Sequence, residues 1–156
     1  MSTYGAEQVY GWVQAHFDEH KLRYARFPDG SFHMGFGPTN LRLYYDESMQ
    51  NLTIVSVEVE EVPHEGPVAL PDDRLAALLR LLLDAGFRLP FGSVTRDDRD
   101  GEIQCQANLL VTGSDQFAEQ LRLAMSLVLS ITDDLRPKIR AIKYGGPPPG
   151  GGNVRF

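Results

Sequence analysis

The 156-residue chain has a single cysteine, a single tryptophan, no long apolar run and no concentrated basic segment. One thiol cannot close a disulfide within the chain, so the fold must be held by its core. A domain of this length buries roughly 70% of the surface its unfolded chain exposes, which is enough without a covalent staple or a structural metal. No apolar stretch approaches the roughly 20 residues that a spanning helix needs, which excludes a helical membrane anchor. Met1 to Tyr10 shows no basic segment followed by an apolar run, so no signal peptide is read there and a cytoplasmic location is expected. Lys and Arg number 15 against 21 Asp and Glu, a formal net charge of -6, which argues against nucleic acid as the partner. The nearest thing to a basic cluster is Arg136, Lys138, Arg140 and Lys143, at the end of the expected last helix, where cations favour the helix dipole without any ligand.

What is present is periodic. Val9, Trp12, Val13 and Phe17 recur at helical spacing and predict a first helix over about Ala6–His20. Three strand-like stretches follow: Arg23–Phe27, then Phe32–Phe36 running irregularly into Leu41–Tyr45, then Thr53–Val59. Pro28-Asp29-Gly30-Ser31 is a turn signal, and Gly37-Pro38 is expected to interrupt or bend the second strand. In the third, Val55, Val57 and Val59 read as the inner face, with Ser56, Glu58 and Glu60 outside.

A second helix is expected to start at Pro71-Asp72-Asp73, where proline suits the first turn and the carboxylates face the positive dipole end. Ala85-Gly86 reads as its left-handed stop, returning Phe87 and Leu89 to the core. Phe91–Thr95 and Glu102–Thr112 form a hairpin around Asp100-Gly101, and the second strand is the most regular piece of the chain. Ile103, Cys105, Ala107, Leu109 and Val111 alternate there with polar positions, which makes Cys105 a small core hydrophobe. Ser114 reads as the cap of a long helix over Asp115–Ile142, kinked or broken at Pro137. Residues 145–156 are expected to form a Gly/Pro tether ending in Asn153-Val154-Arg155-Phe156, outside a single domain spanning 1–144.

No catalytic constellation overlies this pattern. His16 and His20 stand one helical turn apart, a spacing that can hold zinc, but no third ligand is nearby in sequence. Asp97, Asp98 and Asp100 lack the spacing of a calcium loop, and Gly35-Phe36-Gly37-Pro38 lacks the third glycine of a dinucleotide loop. Glu60-Glu61 and Asp133-Asp134 read as solvated surface. No catalytic residue, metal or cofactor is assigned, and the protein reads as a non-enzyme.

The order of elements, the leucine-rich second helix ending in Leu83-Asp84-Ala85-Gly86-Phe87, and the last helix with Ile131-Thr132-Asp133-Asp134-Leu135-Arg136-Pro137 resemble the YbjN-type bacterial family. The fold of that family is similar to that of type III secretion chaperones, and the likeness spans about Ala6 to Ile142. The resemblance implies an α+β body of order α-β-β-β-α-β-β-α, a mainly antiparallel sheet with helices packed on it. The partners it implies are a second copy, as a homodimer, and a protein client. It brings no catalytic residues with it.

The function expected is non-enzymatic protein binding, chaperone-like or regulatory, through apolar contact and strand addition at a sheet edge. Contact residues would be Phe32, Met34 and Phe36 on the interrupted strand, and Leu81, Leu83, Leu123 and Leu127 as apolar surplus on the helices. The alternative is a small-ligand or metal site built from distant residues such as His16, His20 and His33 with an acidic group.

Overall fold

The computed structural model describes residues 3–57, 59–60 and 69–145. Helix α1 spans Ala6–Glu19, α2 Asp72–Gly86 and α3 Phe117–Tyr144. The strands are β1 Ala25–Arg26, β2 Phe32–Phe36, β3 Thr39–Asp46, β4 Asn51–Val57, β5 Gly92–Arg96 and β6 Ile103–Leu110. They form one antiparallel sheet in the order β1-β2-β3-β4-β6-β5, so the fold is α+β, with helix, strands, helix, strand pair and helix in the expected sequence.

Register explains the layering. Leu43 stands opposite Phe32 and Ile54, and Ile54 opposite Ala107, so one side of four strands is apolar. Helix α3 lies across β6 and β4, α1 reaches β3 and α3, and α2 packs against β5 and α3. Their stripes of Val9, Val13 and Phe17, of Leu78 and Leu82, and of Leu121, Val128, Leu135 and Ile139 are buried over that face. Cys105 lies in this core, and burial pushes its thiol up to about 11, as for an inert side chain.

Helix α1 is fixed by a chain of tyrosines. Since β2 begins at Phe32 opposite Leu43, β3 runs past it, and the Tyr45 N–H donates instead to Tyr10 Oη at 2.9 Å. Tyr45 Oη donates to the Tyr4 carbonyl at 2.8 Å, and Tyr4 Oη to the Thr112 carbonyl at 3.2 Å. The Tyr10 ring also fills the place a Cβ would take at Gly30, whose φ is +89°. The β1–β2 turn therefore needs glycine twice over, for conformation and for space.

Several local expectations are corrected. Phe32–Phe36 and Leu41–Tyr45 are two strands of a hairpin, because Gly37 adopts φ +60° and reverses the chain with Pro38, placing Met34 opposite Leu41. The first strand shrinks to two residues. In β4 the faces are inverted: Leu52, Ile54 and Ser56 point to the core, while Val55 and Val57 lie on the other side with Arg42 and Gln104. Both rows of this strand are apolar, so its alternation carried no sign, and pairing with Leu43 and Ala107 decided it.

Gly86 has no positive φ. Helix α2 ends instead in a tightened turn, with the Arg88 N–H bonded to Ala85 O and the Leu89 N–H to Gly86 O, which buries Leu89 and leaves Phe87 82% exposed. Gln116, not Ser114, precedes the first helical residue of α3, and no side chain caps that end. Helix α3 runs unbroken through Pro137, held by Leu135 and Ile139, which are fully buried on either side of it. Glu60 is buried rather than solvated, with Lys143 Nζ at 3.0 Å and Arg140 Nε at 3.7 Å. Glu58, Glu61, the Pro63–Pro67 connection and the tail 146–156 lie outside the described residues.

Replacing Tyr10 by Phe keeps the ring and strands the buried Tyr45 N–H. The expected loss is about 1–3 kcal/mol of stability, read from the urea unfolding midpoint. No loss would mean that the tyrosine link does not hold α1 to the sheet.

Candidate protein-binding surface

All three helices share one side of the sheet, so the opposite side carries His33, Gly35, Asn40, Arg42, Tyr44 and Gln104 without a helical cover among the described residues. Within it Arg42 pairs with Asp29 at 3.2 Å and lies over the Tyr44 ring, 5.4 Å from its centroid. The His33 ring lies against Phe27, with centroids 3.8 Å apart and planes tilted by 45°.

The edge beside β1 is incomplete. The Phe27 N–H bonds to the Ser31 carbonyl, so along the extended strand the backbone groups of residues 31, 33 and 35 point the same way, toward β1. Strand β1 pairs Ala25 with His33 and then stops. Arg23 would have to stand opposite Gly35, and among the described residues the Gly35 N–H and C=O meet no backbone partner on that side. Around this opening lies a shallow depression of about 350 Å³, bounded by Arg23, Tyr24, His33, Gly35, Asn40 and Val57, with the core residues Met34 and Leu41 also lining it. Val57 is shared with a second depression of about 330 Å³ beside Arg42 and Tyr44, so the edge leads onto the open face.

The anticipated contact residues fall in different places. Phe32 is a core residue, 0% exposed; Met34 is 5% exposed and lines the depression beside the Gly35 edge; Phe36 is half-buried. Leu81 is half-buried in a groove with Ile142, while Leu83 is 64% exposed on α2. Leu123 is 54% exposed on the first half of α3, and Leu127 is half-buried. Sequence reasoning missed Arg23, Asn40 and Gly35 at the edge, and Phe87 and Phe91, the latter 86% exposed with φ +55°. The readable signal for the edge was a glycine inside an alternating strand, a position where another backbone can approach closely.

The histidines do not assemble into one site. His16 on α1 and His20 just past its end have ring centroids 4.6 Å apart, near Glu19 and Arg122, whereas His33 lies on β2 near Asp29 and Arg42. Among the described residues no group of three His, Cys, Asp or Glu side chains is placed to hold a metal. The cations near the end of α3 are engaged internally. Arg136 donates to the Val59 carbonyl and Thr39 Oγ1, Lys138 pairs with Asp134, and Lys143 and Arg140 approach Glu60. No helix among the described residues is long and apolar enough to cross a membrane.

No family model matches this chain, and no curated protein matches it in sequence. Solved structures do match. One chain of the HopA1–SchA chaperone–effector complex aligns with a TM-score of 0.51 at 16% identity, over 82% of this chain and 95% of that one. One chain of the ExsC–ExsE complex aligns with a TM-score of 0.55 at 14% identity, over 84% and 92%. YbjN from E. coli aligns with a TM-score of 0.56 at 10% identity, over 92% and 97%. The chain has the YbjN-type, secretion-chaperone-like fold. At these identities the likeness is one of architecture, and it covers nearly the whole of each matched chain.

The buried histidine sets a pH dependence. His16 is held below its ordinary pKa, first by burial and then by His20, and His33 is lowered by burial and by Arg42. Both groups bind protons more readily unfolded than folded. Their contribution to stability is therefore complete above pH of about 6.5 and is lost as pH falls through that value toward the folded pKa. The urea midpoint should fall between pH 7.5 and 5.5, and H16Q with H33Q should flatten that fall. An equally steep profile in the double variant would remove the histidines as its cause.

Proposed function

We propose that this protein is a non-catalytic, chaperone-like module that holds an extended segment of another protein against the open edge of its sheet. The observation that carries the reading is the unfinished ladder at Gly35, where one N–H and one C=O face outward beside a depression on the open face. A segment laid there would continue the line of β1, forming backbone bonds without regard to its sequence. Selectivity would come from side chains pointing alternately to Val57 and Asn40 and to the rim. Arg23 and Arg42 make that rim basic in a chain of net charge -6, which favours a segment with acidic residues among apolar ones. Likeness of fold to chains from two effector or partner complexes supports the same class of role.

Gly35→Pro tests it. Proline removes the outward N–H and is tolerated on an edge strand whose N–H faces away from the ladder. Partner capture from a lysate, quantified for a single identified protein against the wild type, should weaken roughly tenfold or more while the unfolding midpoint stays close to wild type. Unchanged capture of that protein by the folded variant would sink the edge as the binding site.

The reading includes a homodimer, supported by the apolar side chains at the end of α2. Leu83, Phe87 and Phe91 are 64%, 82% and 86% exposed, and large residues left in water so close together mark contact surfaces. Phe87→Ser with Phe91→Ser should convert a dimer to a monomer in light scattering. A wild-type monomer at all concentrations would reject the dimer.

A further inference from the structure

Helices α2 and α3 run antiparallel. Arg74 packs on Gly145, Leu81 faces Ile142, and Arg88 pairs with Asp134 at 3.1 Å, so rising numbers on one helix meet falling numbers on the other. Between them is a groove of about 270 Å³ lined by Ala77, Arg80, Leu81, Asp84 and Ile142. Its floor is apolar, and Asp84 on its rim makes no ion pair among the described residues. Gly145 closes α3 in the left-handed conformation, φ +72°, with the Arg74 guanidinium 2.8 Å from where a Cβ would stand. The chain beyond therefore departs beside the first turn of α2, at one end of the groove.

Eleven residues follow, Gly146 to Phe156, and their composition divides into a spacer and a tip. Gly146 to Gly152 contains only glycine and proline. Asn153-Val154-Arg155-Phe156 carries two apolar side chains with a cation between them. From Arg74 to Asp84 along α2 is about 15 Å at 1.5 Å per residue. The eight steps from Gly145 to Asn153 reach about 25 Å at 3.1 Å each, so the tip spans the groove with slack.

We propose that residues 153–156 dock back into this groove in cis, with Phe156 against Leu81 and Ile142 and Arg155 paired with Asp84. In this groove Asp84 offers Arg155 a partner beside Arg80, whereas the rim of the Gly35 edge presents Arg23 and Arg42, which repel it. Docking covers Leu81, one of the half-buried leucines of α2, and it is independent of client binding at the sheet edge.

The test is methyl-detected NMR on the full chain. Cross-peaks between the Phe156 ring and the Leu81 and Ile142 methyl groups are expected, unchanged on dilution. F156A should shift those methyl signals, D84R should abolish the cross-peaks, and R155D in the D84R background should restore them. Absence of the cross-peaks in wild type would overturn the proposal. Their disappearance on dilution would place the tail on a second copy, and F156A shifts at His33 and Gly35 would place it on the sheet edge; either result also overturns docking in cis. Deleting the tip changes neither Gly35 nor its ladder, so failure here leaves the capture experiment intact.

Discussion

Strands that put Phe32, Leu41, Leu43, Ile54, Cys105 and Ala107 on one side of a single sheet create an apolar face that three helices have to cover together. Each fully buried side chain of Leu or Phe size contributes about 1.5–3 kcal/mol relative to exposure. Everything else follows from satisfying that face. With the helices committed to one side, the other side carries mostly polar and charged residues around Val55 and Val57. The tyrosine chain through Tyr10 then fixes α1 where β3 outruns β2.

The ionic contacts act on position more than on stability. Glu60 lies where the chain leaves β4, and Lys143 with Arg140 holds it near the last turns of α3. Arg136 ties the same helix to the Val59 carbonyl and to Thr39 at the β2–β3 turn. A buried pair of this kind gains little over apolar side chains of equal size, but one charge left alone is costly, so the helix and strand ends are held in one register. The same contacts account for the cationic cluster that the sequence carries, and they leave those cations unavailable as a phosphate-binding stripe.

The proposed role rests on what the fold leaves unfinished. Strand β1 covers two of the five residues of β2, and Gly35 adds no side chain to block the remaining edge. Natural sheets shorten, charge or cover their edges because an open one recruits other chains. In the proposed role, the depression beside the opening and the arginines on its rim would give an incoming segment both backbone bonds and a preference of charge.

Local periodicity and turn chemistry were enough to specify the three helices, the hairpins at Gly30 and Gly101 and the inward place of Cys105, because each depends on near neighbours in the chain. They did not specify which side of β4 faces inward, since Leu52 and Ile54 compete with Val55 and Val57 and only pairing with β3 and β6 separates them. Nor did they place Glu60 indoors, carry α3 through Pro137, or send Phe32 and Met34 to the core while exposing Phe87 and Phe91. Those outcomes depend on partners distant in the chain: a lysine more than eighty positions away for Glu60, buried neighbours on both sides of the proline, and the helix α1 that lies over β2. The candidate edge was legible only as a glycine in a strand, and its meaning came from three-dimensional pairing, which ends β1 two residues short of it.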